Sequence, residues 1–464
     1  MFLLQLFLVF LIRVDGTTYP TPGATFDALS FISWEDSQVV NGSKKGTIFV
    51  PLNSETGDSD FISVYRLNLY GDNSLRGFAH GKLMTTEIIE FTGPKLDEYF
   101  KNQIFNKDVS QFPQPLQDIL LQLEAKGKEA APTIFRRALA WIWQYELPYI
   151  TDDMKQEIRS IAEGMCSTLG ESCDVSFWEN QIQSVNMLPE LVRMACTAYG
   201  AWGRATYPAN SLVQLRSLDF GPGPFANYTV VIVNSGGSGH DFITVGFPAM
   251  VGVITGISRR HIGLSQKVWM VDNGDGQGAQ FQPGSFDGQP DVFVLRHILE
   301  FSESREAAER YMRTAHRTWA IWVGLGDYAS QRFDIVAYNQ SASVTYTDVT
   351  MPGLTGQPYL ESVVYVDRHG QPSYEGAAGT LPTALTDFYG NISLETTKII
   401  MKFHGSGDHH IAVYNYRDRQ MYLSVGRVNA DGYYGPQGGD LDLWKAFNRP
   451  YLKFNMDDLF EGKV

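Results

Sequence analysis

The sequence predicts an α+β chain in which stacked sheets are covered by helices, with a mainly helical part ahead of them. Three observations predict it. Between about residues 84 and 165, apolar residues recur at i, i+3 and i+4 steps, separated by Pro and Gly breaks. From residue 196 onward, short runs rich in β-branched and aromatic residues dominate. Helical patterns interrupt those runs only twice, so strands and helices do not alternate as parallel βαβ units would require.

The elements follow in order. Residues 17–80 carry strand-like runs at Gly46–Val50 and Phe61–Tyr65. Helices are expected at Asp97–Asn106, Pro115–Lys126, Ala131–Trp143 and Asp152–Gly164. Strands are expected at Tyr228–Asn234, Val268–Asn273, Trp319–Gly324, Phe333–Tyr338 and Glu361–Asp367, and a hairpin at His410–Tyr416 with Met421–Val425. Val292–Ala315 reads as a pair of helices or one broken helix, and Ser393–Phe403 as the second interruption. The more helical first half would form a separate layer or an accessory subdomain.

Composition narrows the function classes. The chain has 464 residues, 44% of them hydrophobic and 13% aromatic, which suffices for a packed core and argues against extended disorder. Its net charge is −14 and no block of clustered Lys and Arg occurs, so nucleic acid is excluded as an expected partner. The apolar start MFLLQLFLVFLI has the length of a signal-peptide core and is short for a bilayer. A signal peptide over residues 1–16 is expected, ahead of an uncleaved anchor or a buried strand. Sequons at Asn41, Asn227, Asn339 and Asn391, each in a loop-like stretch, accord with N-glycosylation and a secreted or lysosomal protein.

Free thiols are uncommon on that route. Cys166 and Cys173, seven apart, have a spacing that permits a small loop disulfide, and Cys196 is then the odd one. After Cys196, two strand-like pieces meet at a turn near Tyr207–Asn210, and the second ends in Arg216-Ser217-Leu218-Asp219. Such a hairpin returns Arg216 and Asp219 towards Cys196. A guanidinium beside a thiol lowers its pKa and favours the nucleophilic thiolate. The same spacing also suits an ordinary hairpin with a surface Arg–Asp pair.

Cys196, an alternating strand, a turn and R-x-x-D-F together resemble the start of the mature chain in cysteine N-terminal-nucleophile (Ntn) hydrolases. The group resembled holds acid ceramidase, penicillin V acylase, bile salt hydrolase and isopenicillin N acyltransferase. Further matches follow in order: residues 142–164 resemble the helix ahead of the cleavage site, and NMLPELVRMAC the approach to it. Residues 242–264 resemble a strand pair with its turn, and residues 388–425 the C-terminal helix and hairpin. The resemblance covers roughly residues 140–430.

The resemblance implies a four-layer αββα sandwich, the Ntn-hydrolase fold. It implies self-cleavage between Ala195 and Cys196, into a chain of residues 17–195 and a chain of residues 196–464 that stay associated. Cys196 would become the nucleophile, with its own new α-amino group as base. Arg216 would sit by the thiol and the substrate carbonyl, and Asp219 would bind the freed amine. Ser217 departs from the asparagine usual there. Asp367 stands where the family often places an oxyanion-donating asparagine, and an ionised carboxylate cannot donate. Protonation of Asp367, a shifted alignment, His369 or a backbone N–H are the alternatives. The implied substrate is a small-molecule amide or an N-acyl lipid, cleaved by hydrolysis or acyl transfer without a cofactor, with peripheral membrane or lipid contact allowed.

Other motifs are weaker. The histidines of residues 404–410 lack zinc spacing, so no metal is expected and His410 reads as packed or hydrogen-bonded. Asp272–Gly276 reads as a turn, and Trp141, Trp143, Trp202, Trp269 and Trp322 as core residues, some of which would line an acyl pocket. Two rival readings stand: a non-catalytic lumenal glycoprotein that binds lipids or a partner, and a thiol enzyme with a histidine base beside Cys196 and no cleavage.

Overall fold

The computed structural model describes residues 12–14, 17–35, 39–53, 59–102, 112–191, 195–220, 225–268, 286–318, 320–352, 358–367, 380–428 and 444–462. The apolar run 1–11, His369 and the Asp272–Gly276 turn lie outside these residues, as do Trp269 and all of the expected 268–273 strand beyond Val268.

Ahead of Cys196 run β1 (Ile12–Val14), β2 (Thr17–Tyr19), β3 (Thr25–Asp27), β4 (Ile32–Trp34), β5 (Lys44–Asn53) and β6 (Ser59–Tyr70). The described residues between Asn73 and Leu191 are mainly helical. Then come β7 (Ala195–Gly203), β8 (Ser211–Asp219), β9 (Val230–Ser235), β10 (Phe242–Gly246), β11 (Thr255–Ser258) and β12 (Ile262–Val268). A helix pair, Asp291–Phe301 and Arg305–Thr314, leads to β13 (Ile321–Asp327), β14 (Arg332–Tyr338), β15 (Ser343–Tyr346) and β16 (Val363–Val366). Helices Thr380–Asp387 and Leu394–His404 precede β17 (His410–Asn415), β18 (Gln420–Val425) and β19 (Tyr451–Asn455).

Two large sheets result. One has ten strands in the order β15-β14-β13-β12-β11-β10-β9-β6-β5-β4; the other has seven, in the order β16-β7-β8-β17-β18-β19-β3. Their inner faces form one core, with Val64, Val231, Ile243 and Phe333 meeting Ala198, Leu212, Ala412 and Leu423. The outer face of the seven-stranded sheet (Leu215, Val413) packs on helices Thr380–Asp387 and Leu394–His404 through Leu385, Ile400 and Met401. The outer face of the ten-stranded sheet is covered by the 291–314 pair over Leu264 and Val323 and by the N-terminal helices over Leu67 and Ile232. The architecture is the four-layer αββα sandwich.

Local chemistry explains the helix ends. Asp152–Leu169 starts where the Thr151 hydroxyl accepts from the Met154 N–H, with Asp152 and Asp153 in its first turn, and stops at Gly170 with φ of 90°. Leu394–His404 carries a capping box of Ser393 and Thr396 and ends at left-handed Gly405. The 292–315 pattern is a pair, broken before Ser304, which caps the second helix. Helices Asn73–Leu83, Val175–Leu191 and Thr380–Asp387 stand where no helix was expected.

The N-terminal part is not the separate layer or subdomain expected. Strand β3 lies in the seven-stranded sheet and β4 to β6 in the ten-stranded one. Among the described residues the sheets contain two parallel pairings, β6 with β9 and β3 with β19, and each joins a strand before Cys196 to one after it.

Candidate active site

Strand alternation sorts the site. In β7, Ala198 faces the inner core while Tyr199 and Ala201 face the outer helices. Cys196 shares the parity of Ala198 and therefore points between the sheets, where it is wholly buried. The sheets close tightly here: a Cβ on Gly200 would lie 2.0 Å from the Phe333 ring, so only glycine fits that position. Strand β8 pairs antiparallel with β7 in the register Ala195↔Asp219, Cys196↔Leu218 and Ala198↔Arg216.

Arg216 has inner-face parity too, and its guanidinium reaches the thiol, with Nη2 3.4 Å from Cys196 Sγ. Its other N–H groups donate to the Gln266 carbonyl (3.3 Å) and to Nε2 of His410 (2.9 Å). Burial and the adjacent guanidinium hold His410 well below the usual histidine pKa, so its ring is neutral and accepts from Arg216. The thiol does not become the depressed-pKa group expected from spacing. Burial pushes it up, and the positive charges of Arg216 and Lys267 offset only part of that. In the continuous chain Cys196 is therefore a protonated thiol.

Asp219 faces the other way. Its carboxylate accepts from Ser406 Oγ (2.5 Å) and from the backbone N–H groups of Gly407 (2.7 Å) and Asp408 (3.2 Å). Ser217 joins this outer network, with its Oγ 2.8 Å from Ser406 Oγ and accepting from the Thr197 N–H at 3.2 Å. Thr197 Oγ1 lies 2.8 Å from the same serine and 3.4 Å from His404 Nε2. The polar residues around Asp219 thus fix the loop after helix Leu394–His404 against the first residues of β7.

Asp367 follows directly on β16, whose Val366 pairs with Ala198, so it comes level with Thr197 beside Cys196. Lys267, on β12 of the opposite sheet, is wholly buried and shares the electrostatic neighbourhood of Cys196, Asp367 and Asp219. Sequence reasoning missed both Lys267 and the Arg216–His410 contact. No short motif links residues that meet only when the two sheets stack.

An aromatic wall adjoins these groups. Phe220 and Phe247 pack edge-on against His409 at ring separations of 5.5 and 6.3 Å. Phe225, Phe91 and Tyr99 continue the wall, the last two from the N-terminal part. Of the tryptophans read as core residues, Trp143 and Trp322 are buried in the core, Trp202 packs against it, and Trp141 stacks on Tyr145.

The remaining sites divide. Cys166 and Cys173 are bonded, with Cα atoms 5.2 Å apart. Asn41 and Asn391 are exposed in loops. Asn227 donates its amide to the Val428 carbonyl (2.7 Å). Asn339 is buried, with its Oδ1 accepting from the N–H groups of Ser341 and Ala342. The exposure expected of a glycan acceptor is therefore missing at Asn339, because its side chain serves as a turn cap.

No family model matches the chain. The Dictyostelium discoideum protein dcd1A is 29% identical over 415 residues, covering 85% of this chain and 85% of its own. Protein dcd1B of the same organism is 28% identical over 418 residues, covering 88% of this chain and 76% of its own. Among solved structures, the chain is similar to a Caenorhabditis elegans N-acylethanolamine-hydrolyzing acid amidase ortholog, at 13% identity and TM-score 0.35 over 47% of this chain and 92% of that one. It is also similar to penicillin V acylase from Agrobacterium tumefaciens, at 12% identity and TM-score 0.32 over 50% and 83% of the two chains.

Proposed function

We propose that the chain is a self-processed cysteine amidohydrolase or acyltransferase that cleaves an amide C–N bond through an acyl-enzyme on Cys196. One observation carries the reading: the Cys196 thiol is buried at the head of an interior strand, on the residue that directly follows the bond to be cut, with the Arg216 guanidinium 3.4 Å away. Maturation is a balanced acyl shift. Sγ attacks the Ala195 carbonyl carbon, the Ala195–Cys196 C–N bond breaks, and the thiol proton passes to the departing nitrogen. Water then hydrolyses the thioester, leaving a carboxylate on Ala195 and a free α-amine on Cys196. In turnover that amine takes the thiol proton, the thiolate attacks the substrate amide, and the proton returns to the leaving amine. Water or a second amine resolves the acyl-enzyme.

The aromatic wall favours a small-molecule substrate with an apolar acyl group, such as an N-acyl lipid presented at a membrane surface. Because Cys196 is wholly buried in the continuous chain, the uncut form is a precursor inert towards external substrate. Entry through the secretory route, with a cleaved leader and glycans on exposed asparagines, fits the same picture.

The test is the set of polypeptide masses and N-termini of the purified protein under reducing, denaturing conditions. A fragment beginning at Cys196, absent from Cys196→Ala, is expected. A single intact chain after prolonged incubation at acidic and neutral pH would overturn the reading in favour of a lipid- or partner-binding protein.

A further inference from the structure

We infer that Lys267 supplies the oxyanion donor of this site, in place of the amide that Asp367 cannot provide. The inference rests on the amide-cleaving reading above and deepens it. The geometry begins with the alternation of β12. Ser265 points between the sheets, accepting from Gln214 Nε2 at 2.8 Å and donating to the Leu215 carbonyl at 3.2 Å. Gln266 points to the opposite face, where its amide donates to Asp291 at 2.8 Å. Lys267 then returns to the inner face, two residues from Ser265, on the strand whose Gln266 carbonyl already accepts from Arg216. Its charge neighbours are Cys196, Asp367 and Asp219, the residues that converge on the head of β7.

The bonding of this ammonium is incomplete. Among the described residues its hydrogen bond goes to the Val268 carbonyl at 3.3 Å, and no carboxylate lies within ion-pair distance. An ammonium carries three donors, so a wholly buried one held by a single carbonyl is far from satisfied. Folding alone would favour a methionine there. The second buried cation, Arg216, spends its N–H groups on the thiol, a histidine and a carbonyl rather than on a carboxylate. Two buried cations therefore converge on one neutral thiol. Such a pocket is complementary to a negative charge that exists only during the reaction, on sulfur and then on the carbonyl oxygen.

Asp367 gains a role in the same arrangement. Burial lowers the Lys267 pKa, and the Asp367 carboxylate, placed level with Thr197 by the β16–β7 register, works against that shift and favours the charged ammonium. The pair replaces one neutral amide donor with a cation and its distant counter-charge.

The test compares Lys267→Met, Lys267→Gln and Lys267→Met/Asp367→Asn with the unaltered protein. Two rates are read: appearance of the fragment beginning at Cys196, and kcat on an N-acyl amide per alkylatable thiol. Melting temperatures report folding. Loss of one oxyanion donor lowers kcat about 10²–10³-fold, with KM little changed. Lys267→Gln, which keeps an N–H donor but not the charge, is expected between Met and the unaltered protein. Adding Asp367→Asn to Lys267→Met restores a donor and should recover at least about tenfold. If Lys267→Met folds, matures and turns over within about threefold of the unaltered protein, the inference is wrong. If Lys267→Met does not fold, a Lys267→Gln rate equal to that of the unaltered protein overturns it equally. An unaltered protein that never yields the Cys196 fragment would sink the amide-cleaving reading itself, and this one with it.

Discussion

At Cys196 two opposing effects act on one proton. Burial favours the neutral thiol, whereas Arg216 and Lys267 favour the thiolate, and burial wins. In the proposed reaction the cations would therefore set how far the barrier has to be climbed, not the resting state. Arg216→Met removes the guanidinium that contacts the sulfur and should slow appearance of the Cys196 fragment by about a hundredfold or more. Densitometry of the maturing protein, beside a melting temperature close to that of the unaltered chain, checks it; an unchanged rate would assign Arg216 to packing alone. Much of this centre could be read from the chain. Cys196, Arg216 and Asp219 lie on one hairpin, so their spacing maps directly onto cross-strand register. The direction of the Asp219 side chain could not be read, because it depends on the loop after residue 404, nearly two hundred residues away. Lys267 was hidden for the same reason: it faces the thiol from the other sheet.

Elements meet the sheets through buried charge. Arg76, Glu157, Arg296 and Glu300, from helices Asn73–Leu83, Asp152–Leu169 and Asp291–Phe301, are linked by contacts of 2.9–3.1 Å, and Arg76–Glu157 at 3.9 Å closes the network. Beside it lies a second cluster with no cation in contact among the described residues: Glu146, Glu190 and Asp291 are all buried. Glu190 accepts from Thr318 and the Asp291 N–H, while both oxygens of Glu146 lack a hydrogen-bond partner among the described residues. Tyr338 and Gln266 face it from β14 and β12, and Arg317 lies over the Tyr338 ring. Burial raises all three carboxyls, most strongly Glu146 and Glu190. Acids whose pKa is higher in the folded than in the unfolded chain bind protons in the fold, so stability is greatest at low pH. It falls as pH rises above the ordinary carboxylate range near 4, by up to about 1.4 kcal/mol per pH unit per proton. The opposite sign holds for Glu300, which Arg296 and Arg76 pull down. Melting temperatures at pH 5 and 7.5 should show the protein more stable at the lower value, and Glu146→Gln/Glu190→Gln should flatten the difference. A profile that rises towards neutrality would contradict the assignment. Helices at 131–146 and 152–169 could be read from their amphipathic spacing. Asn73–Leu83 could not, because its packing face is glycine: a Cβ on Gly81 would lie 1.9 Å from the Ile161 carbonyl, a contact invisible to hydrophobic periodicity.

Across the whole molecule, the part before Cys196 is woven into the part after it. Strand β3 closes one edge of the seven-stranded sheet beside β19, and β4 to β6 continue the ten-stranded sheet beyond β9. The stacked sheets and their helical covers were legible in the succession of patterns. The interleaving was not, since parallel pairing between strands over 160 residues apart leaves no local mark. Neither product of the proposed cut has a complete sheet of its own. The two fragments are therefore expected to co-purify through size exclusion in non-denaturing buffer and to melt in one transition. Separation of the fragments without denaturant would refute this.

The two parallel pairings also set the terms on which a protein cut before Cys196 would be lost. As one chain, the molecule refolds by a first-order process, because β6 is tethered to β9 at a fixed effective concentration. Once cut, it would have to reassemble from two molecules, at a rate that falls as they are diluted. Maturation would then turn a reversible fold into one whose working life is governed by how slowly it first comes apart.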